Sequence, residues 1–216
     1  MSDIKQKILF VNSEIFPYLP ESDIAHIGRY LPQGTQERKR EIRSFMPRYG
    51  CINERKNQLH EVIRLSGMNI IISDVDRPLI IKVASISSAR IQVYFIDNED
   101  YFRRKYTFTD ASGKFFEDND ERAIFFARGV LETVKKLRWA PDIIHCQGWI
   151  SHMVPAYLKK SLQGRSHIFL QQGRALPVRR HADGPLPRGL RAQGGFRRPD
   201  RRRPDRPRGA HWHKSC

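Results

Sequence analysis

Residues 118–149 read DNDERAIFFARGVLETVKKLRWAPDIIHCQGW, and this stretch decides the fold class. Asp118, Asn119 and Asp120 offer oxygens for a helix N-terminus, and Glu121 lies three residues after Asp118, the spacing of a capping box. Phe126, Val130, Val134 and Leu137 recur on one face, with Ile124, Ala127 and Leu131 beside them. That period predicts an amphipathic helix over Asp120–Arg138. Pro141 closes it. Asp142-Ile143-Ile144-His145-Cys146 then reads as a strand buried on both faces, and Ile150–Lys160 as a further helix in spite of Pro155.

The same alternation extends toward the N-terminus. Lys7-Ile8-Leu9-Phe10-Val11 is a short apolar run bounded by Asn12-Ser13, again a buried parallel strand. After a loop holding Pro17 and Pro20, Ile24, Ile27, Tyr30 and Leu31 fall at helical spacing, and Glu41–Met46 is a second strand closed by Pro47 and Gly50. The middle is rich in β-branched residues. Met68–Ile72, Leu79–Ile86 and Arg90–Ile96 read as strands, with turns at Asp76-Arg77-Pro78 and Ser87-Ser88. The pattern is an antiparallel insertion within a strand–helix–strand series, which specifies an α/β layered fold with right-handed crossovers.

The chain of 216 residues carries a formal charge of +16, which on its own suggests nucleic acid or an anionic membrane. The charge is unevenly placed. Residues 161–216 hold 14 Lys and Arg against three Asp, whereas residues 1–160 have a net charge of only +5. The basic character belongs to the tail. Cys51, Cys146 and Cys216 have no pairing or metal-ligand spacing, which suggests reduced thiols. The opening residues lack the apolar core of a signal peptide and no run is long enough to span a membrane, so a cytoplasmic location is expected.

In open α/β sheets ligands bind beyond the carboxyl ends of the strands. Two such ends are legible, Asn12-Ser13-Glu14 through Ser22, and His145-Cys146-Gln147-Gly148-Trp149. His145 can donate to a sugar hydroxyl, Trp149 can stack on a sugar ring, and Glu14 can accept from a ligand hydroxyl. The plainer alternatives are a satisfied core histidine, a packing tryptophan and a helix cap. There is no Gly-x-Gly-x-x-Gly and no Gly-x-x-x-x-Gly-Lys-Ser/Thr, so nothing supports a dinucleotide site or a P-loop. His211-Trp212-His213 is the one metal-like run, but its context has no structural pattern, and no metal or other cofactor is expected.

At these residues the chain resembles a known family. Residues 7–14, Lys-Ile-Leu-Phe-Val-Asn-Ser-Glu, are similar to the opening strand of the glycogen/starch synthase family, glycosyltransferase family five. Phe45–Gly50 is similar to that family's second-strand ending, and Phe95–Asn98 with Tyr101-Phe102 to the segment after its insertion. Residues 118–128 resemble its "Asp-Asn-x-x-Arg-Phe-x-x-Phe-Ser-Arg" helix, and residues 139–149 the strand leading to "His-x-His-x-Trp". The divergent members of Bacteroides-type bacteria are the most alike. The resemblance covers nearly all of residues 5–160. It implies the Rossmann-like N-terminal domain of a two-domain GT-B glycosyltransferase. It further implies an α-glucan such as glycogen and a nucleotide sugar as partners, and ADP-glucose as donor of glucose to an α-1,4-glucan without a metal. Glu14, His145 and Trp149 are the substrate-binding residues it implies; it assigns no catalytic residue with confidence.

The chain departs from the family in three places. The family's "Lys-x-Gly-Gly-Leu" loop falls at Pro20-Glu21-Ser22-Asp23-Ile24, which has neither the cation nor the glycines. The second histidine of "His-x-His" is Gln147. The second, donor-binding domain is not represented. The chain is therefore expected to be an incomplete and inactive form of such an enzyme, with a non-catalytic glucan-binding or regulatory relative as the alternative.

Residues 161–216 are crowded with Arg, Pro, Gly, Ala and Gln without any hydrophobic period. Codons for Ser161–His167 read one base later permit Tyr-Lys-Asp-Asp-Pro-Ile, a loop like the family's own. The tail is thus expected to be disordered, out-of-frame translation. The competing reading is a basic arm that contacts nucleic acid phosphates non-specifically.

Overall fold

Strand β1, Lys7–Asn12, is the hub of the sheet. It pairs in parallel with β2, Glu41–Pro47, on one side and with β7, Ile143–Gln147, on the other. The computed structural model describes residues 5–164, and side chains as far as residue 159. Beyond β2 lies β6, Ile91–Asp97, also parallel; then β5, Val75–Ile86, runs antiparallel to β6 and pairs with β3, His60–Glu61, and β4, Met68–Ile72. The seven-stranded order β3-β5-β6-β2-β1-β7, with β4 off β5, is the expected parallel core with an antiparallel insertion.

Helix α3, Asn119–Lys136, covers one face of this sheet. Phe125, Phe126, Val130 and Val134 are buried as the 3.6-residue period requires. At Gly129 the helix comes close to β6 and β5: a Cβ there would lie 3.0 Å from Ile96 and 3.1 Å from Leu79. The capping box does not form. Asp118 makes no cap bond and instead accepts from Arg104, while Glu121 accepts from the Tyr101 hydroxyl and from Ser73. A charged guanidinium outcompetes a backbone N–H for the carboxylate.

Helix α1, Asp23–Glu37, begins at the N-cap Ser22. Its helical spacing was legible, but Ile24, Ile27, Tyr30 and Leu31 lie on its exposed side, and Ala25, Gly28, Arg29 and Pro32 on its buried side. The cause is close approach: a Cβ on Gly28 would lie 2.3 Å from the Glu14 carbonyl oxygen, so only small side chains face inward at the first turns.

The hairpin turn between β4 and β5 is not at Asp76-Arg77-Pro78, as expected from the proline. It is Ser73-Asp74, both left-handed at φ 50° and 60°, joining Ile72 to Val75. Two left-handed residues match the twist of a tight hairpin. Pro78 is tolerated inside β5 because residues 75–79 have a strand partner in β4 alone, so no ladder N–H is required of it, and its carbonyl accepts from Asn98 Nδ2.

A four-residue helix α2, Glu99–Phe102, follows β6, and α4, Val154–Gly164, follows β7 after a 3₁₀ turn at Trp149–Ser151. Pro155 occupies the second position of α4, where an N–H has no partner within the helix. No helix among the described residues is long and apolar enough to cross a membrane. Cys146 is a free thiol, and Cys216 lies in the tail beyond the last turn of α4, outside the described residues.

Candidate functional site

The two strand ends singled out in the sequence are neighbours. Val11 pairs with Cys146 and Asn12 with Gln147, so the segments that follow, Ser13-Glu14 and Gly148-Trp149, leave the sheet side by side at its carboxyl edge. Ser13 ties them together. Its backbone N–H donates to the Gln147 carbonyl at 2.9 Å, its hydroxyl donates to the same oxygen at 3.2 Å, and the Ile150 N–H donates back to that hydroxyl at 3.3 Å. Gly148 permits the junction. It sits at φ +81°, and a Cβ on it would lie 2.2 Å from Ser13 Oγ.

Helix α1 starts directly over this corner. The Ser22 hydroxyl accepts from the Ala25 N–H at 3.0 Å and donates to Glu14 Oε2 at 2.6 Å. Gln147 Nε2 donates to the Ile24 carbonyl at 3.0 Å. The first turn of α1, which with its unpaired N–H groups would suit an anion, is thus met by a serine cap with a carboxylate behind it, and Asp23 adds a second negative charge. The turn is closed on itself. Glu14 is buried, with Oε2 accepting from the Ser22 hydroxyl.

His145 lies on the sheet face shared with Phe10 and Asn12, its ring 5.5 Å from that of Phe10. Burial lowers its pKa, and its Nδ1 is buried without a hydrogen-bond partner among the described residues. It is a neutral imidazole with an unused ring nitrogen. Asn12, fully buried on the same face, has neither amide atom hydrogen-bonded. Buried polar groups are nearly always paired, so two unpaired side chains at one strand end are exceptional.

Trp149 belongs to a different neighbourhood. The Arg122 guanidinium lies 5.5 Å from its ring and also faces Phe102 and Phe116. Arg122 is fully buried; it donates to the Tyr101 carbonyl at 2.8 Å, to the Thr107 carbonyl at 2.7 Å and to Asn119 Oδ1 at 2.6 Å. Burial lowers its pKa to about 10, so it remains a cation at neutral pH. Tyr49, also buried and close enough to feel both Arg122 and Glu14, has its pKa raised, by burial first of all. Glu14, His145 and Trp149 therefore lie along one carboxyl edge but engage different neighbours. Asn12, Tyr49 and Arg122 were not singled out in the sequence. For Arg122 a signal was present, because it stands four residues before Phe126 on the buried face of α3.

At the insertion, Glu54 joins Arg48 to Lys82, and Lys82 also reaches Asp97 at 3.0 Å. Burial opposes the Glu54 charge, but the Lys82 hydrogen bond and the Arg48 charge prevail and lower its pKa. This half-buried network fastens the antiparallel strands to the parallel core at the same edge.

Comparison with known proteins matches residues 7–173 to the family described as starch synthase catalytic domain. The chain belongs to this family. Its curated relatives include the glycogen synthase of Chlorobium limicola, 43% identical over 154 residues that make up 71% of this chain and 32% of the relative. The glycogen synthase of Chlorobaculum tepidum is 42% identical over 164 residues, 76% of this chain and 33% of the relative. The chain thus spans about a third of the length of the curated relatives it matches. The catalytic domain of starch synthase IV from Arabidopsis thaliana, solved bound to ADP and acarbose, superimposes with a TM-score of 0.59 at 19% identity, over 71% of this chain and 30% of that one. The fold is that of the starch synthase catalytic domain. Ser22, in the segment 20–24, and Gln147 are both held in internal hydrogen bonds, Ser22 to Glu14 and the Ala25 N–H and Gln147 to the Ile24 carbonyl.

Proposed function

We propose that residues 1–160 form the glucan-side, Rossmann-like domain of a glycogen/starch synthase-type glycosyltransferase. The parent reaction transfers glucose from ADP-glucose to an α-1,4-glucan. The observation that carries this reading is the unpaired polar pair Asn12 and His145 at the joined ends of β1 and β7, with Trp149 at the same edge. A neutral imidazole nitrogen and an amide suit the hydroxyls of a sugar, and an indole suits its apolar ring face.

The self-capped turn supports a narrower version, a glucan-binding relative with weakened donor chemistry. Ser22 and Glu14 occupy the α1 N-terminus, and neither Glu21 nor Asp23 neutralises a nucleotide phosphate. Electrophoresis of the 216-residue chain through a gel containing glycogen tests the reading. Retardation relative to a glycogen-free gel is expected, and unchanged mobility would reject it. Glucose incorporation from ADP-glucose then separates the catalytic from the purely binding version. The out-of-frame origin of the tail stands as a proposal of its own, tested by reading the gene across codons 158–165 in all three frames.

A further inference from the structure

Strands β1, β2, β6 and β7 run in parallel, so all of them begin at one edge of the sheet, opposite the carboxyl edge that carries the site. Helices α1 and α3 end there. The links that enter these strands are basic and exposed: Lys5 before β1, Arg38-Lys39-Arg40 before β2, Arg90 before β6 and Arg138 before β7. Hydrogen bonds hold the links side by side. Gln36 Nε2 at the end of α1 donates to the Arg90 carbonyl at 3.3 Å, the Glu41 N–H to the Gln6 carbonyl at 3.1 Å, and the Asp142 N–H to the Lys7 carbonyl at 2.8 Å.

The two edges treat their cations differently. At the carboxyl edge and on the insertion, Arg48, Arg77, Arg103 and Arg104 each sit on a carboxylate. At the amino edge the acids are committed elsewhere. Glu41 accepts from the Trp139 indole, Asp142 from the Lys7 N–H and Glu37 from Gln33, while Glu132 pairs with Lys135. No carboxylate of the described residues is in ion-pair reach of Arg38, Lys39, Arg40, Arg90 or Arg138.

Lys39, Arg90 and Arg138 share a second property. All are left-handed, at φ 61°, 55° and 49°, where glycine is the default and a longer side chain adds strain. Cations favour the carbonyl end of a helix, which suits Lys39 and Arg138. Arg90 follows only the 3₁₀ turn Ser87–Ala89 and has no long helix to neutralise. A strained cation at each of these strand entries points to a partner outside the chain. Neighbouring strands lie about 5 Å apart, so the entries, in the order β6, β2, β1, β7, form a row of charge roughly 15 Å long. A row suits a linear polyanion, whereas a small anion needs donors that converge. The aromatic rings at this edge, Tyr94 and Trp139, are buried and offer no platform on which single-stranded bases could stack. A duplex needs none, because its bases are already stacked and its phosphates face outward.

We propose that the amino edge of the sheet binds the phosphate backbone of duplex nucleic acid. Lys39, Arg90 and Arg138 make the phosphate contacts, independently of the arginine-rich tail.

The test uses the whole chain and a short fluorescent DNA duplex, read by anisotropy at one fixed ionic strength. Lys39→Gly, Arg90→Gly and Arg138→Gly are combined, because glycine removes the charge and suits the backbone. This variant is expected to bind about tenfold more weakly while its melting temperature holds or rises. The same changes to asparagine, which also tolerates left-handed geometry, should reproduce the loss. A charge-matched control on exposed residues of the insertion, Arg55→Gln with Lys56→Gln and Arg64→Gln, should bind within about twofold of wild type. Unchanged affinity in the glycine and asparagine variants would leave all binding to the tail and overturn the proposal. An equal loss in the control would make it an effect of net charge, and would overturn it too. Tighter binding to phosphatidylserine vesicles than to the duplex, lost in the same variants, would assign the edge to a membrane and overturn the nucleic acid.

Discussion

Ser13 and Gly148 are in direct apposition, so that a single added methyl group on Gly148 would sit 2.2 Å from Ser13 Oγ and 2.6 Å from Ser13 Cβ. The crossing of the two strand ends depends on that missing side chain. Gly148→Ala combines this clash with a positive φ and is expected to destabilise the chain by about 2–4 kcal/mol. Urea unfolding measures it. Adding Ser13→Gly should recover part of the loss, and no change in the midpoint for Gly148→Ala would refute the apposition.

Ser22 serves two partners at once, the Ala25 N–H and the Glu14 carboxylate. Ser22→Ala should therefore cost about 1 kcal/mol as a lost N-cap, with Ser22→Asp costing more because it sets a second carboxylate against Glu14. If Ser22→Asp is instead the more stable of the two in thermal unfolding, the Glu14 contact is wrong.

Arg122→Met should be the most damaging single change on α3. It leaves the carbonyls of Tyr101 and Thr107 buried without donors, an expected loss of about 3–4 kcal/mol. Arg122→Lys should restore little, since an ammonium cannot reproduce the planar fork that serves three acceptors. Near-UV circular dichroism and thermal unfolding give the readouts. Wild-type stability in Arg122→Lys would contradict the assigned geometry.

Acid should loosen the fold in two steps. The His145 pKa is depressed by burial from the ordinary 6.5, so its contribution is whole above that value and is lost as pH falls below it toward the folded-state pKa. Glu54 and Asp118 are also depressed, each opposed by burial but held by Lys82 and Arg104 respectively. Their contributions hold above the ordinary carboxylate range and vanish as pH falls through their lowered values. Melting temperature against pH should show both steps, and His145→Gln should remove the upper one alone. An upper step that survives in His145→Gln would assign it to another group.

The parallel core was legible at Lys7–Val11, where a strand buried on both faces reads as an unbroken apolar run; the same expectation for Asp142–Cys146 is corrected, because β7 ends the sheet of the described residues and is only half-buried. The buried face of α1 was not legible. There the Glu14-Ile15 segment after β1 comes so close that Gly28 and Ala25 face inward, and the larger apolar residues carrying the helical period are left outside. The β4–β5 turn was hidden for a related reason: Ser73 and Asp74 adopt left-handed geometry without the glycine that usually announces it, while Pro78 signals a break that an edge position does not need. At the site, Glu14, His145 and Trp149 could be placed at strand ends from sequence order. What each touches depends on the side of the sheet and on the segment between α2 and α3, which residue spacing does not encode.

No carboxylate of the described residues stands within ion-pair reach of Arg122; Asp118, close by, is engaged with Arg104. The buried guanidinium is balanced by carbonyl dipoles and aromatic ring faces. Dissolved ions reach such an arrangement poorly, whereas exposed charges are screened within about 8 Å at physiological ionic strength. The consequence is a difference in salt response between glucan and polyanion binding. The proposed glucan contact with the folded domain should persist as sodium chloride is raised. Any polyanion gathered by the arginine-rich tail or the amino edge should be released as counterions compete for it. Ionic strength alone thus separates the one kind of association from the other.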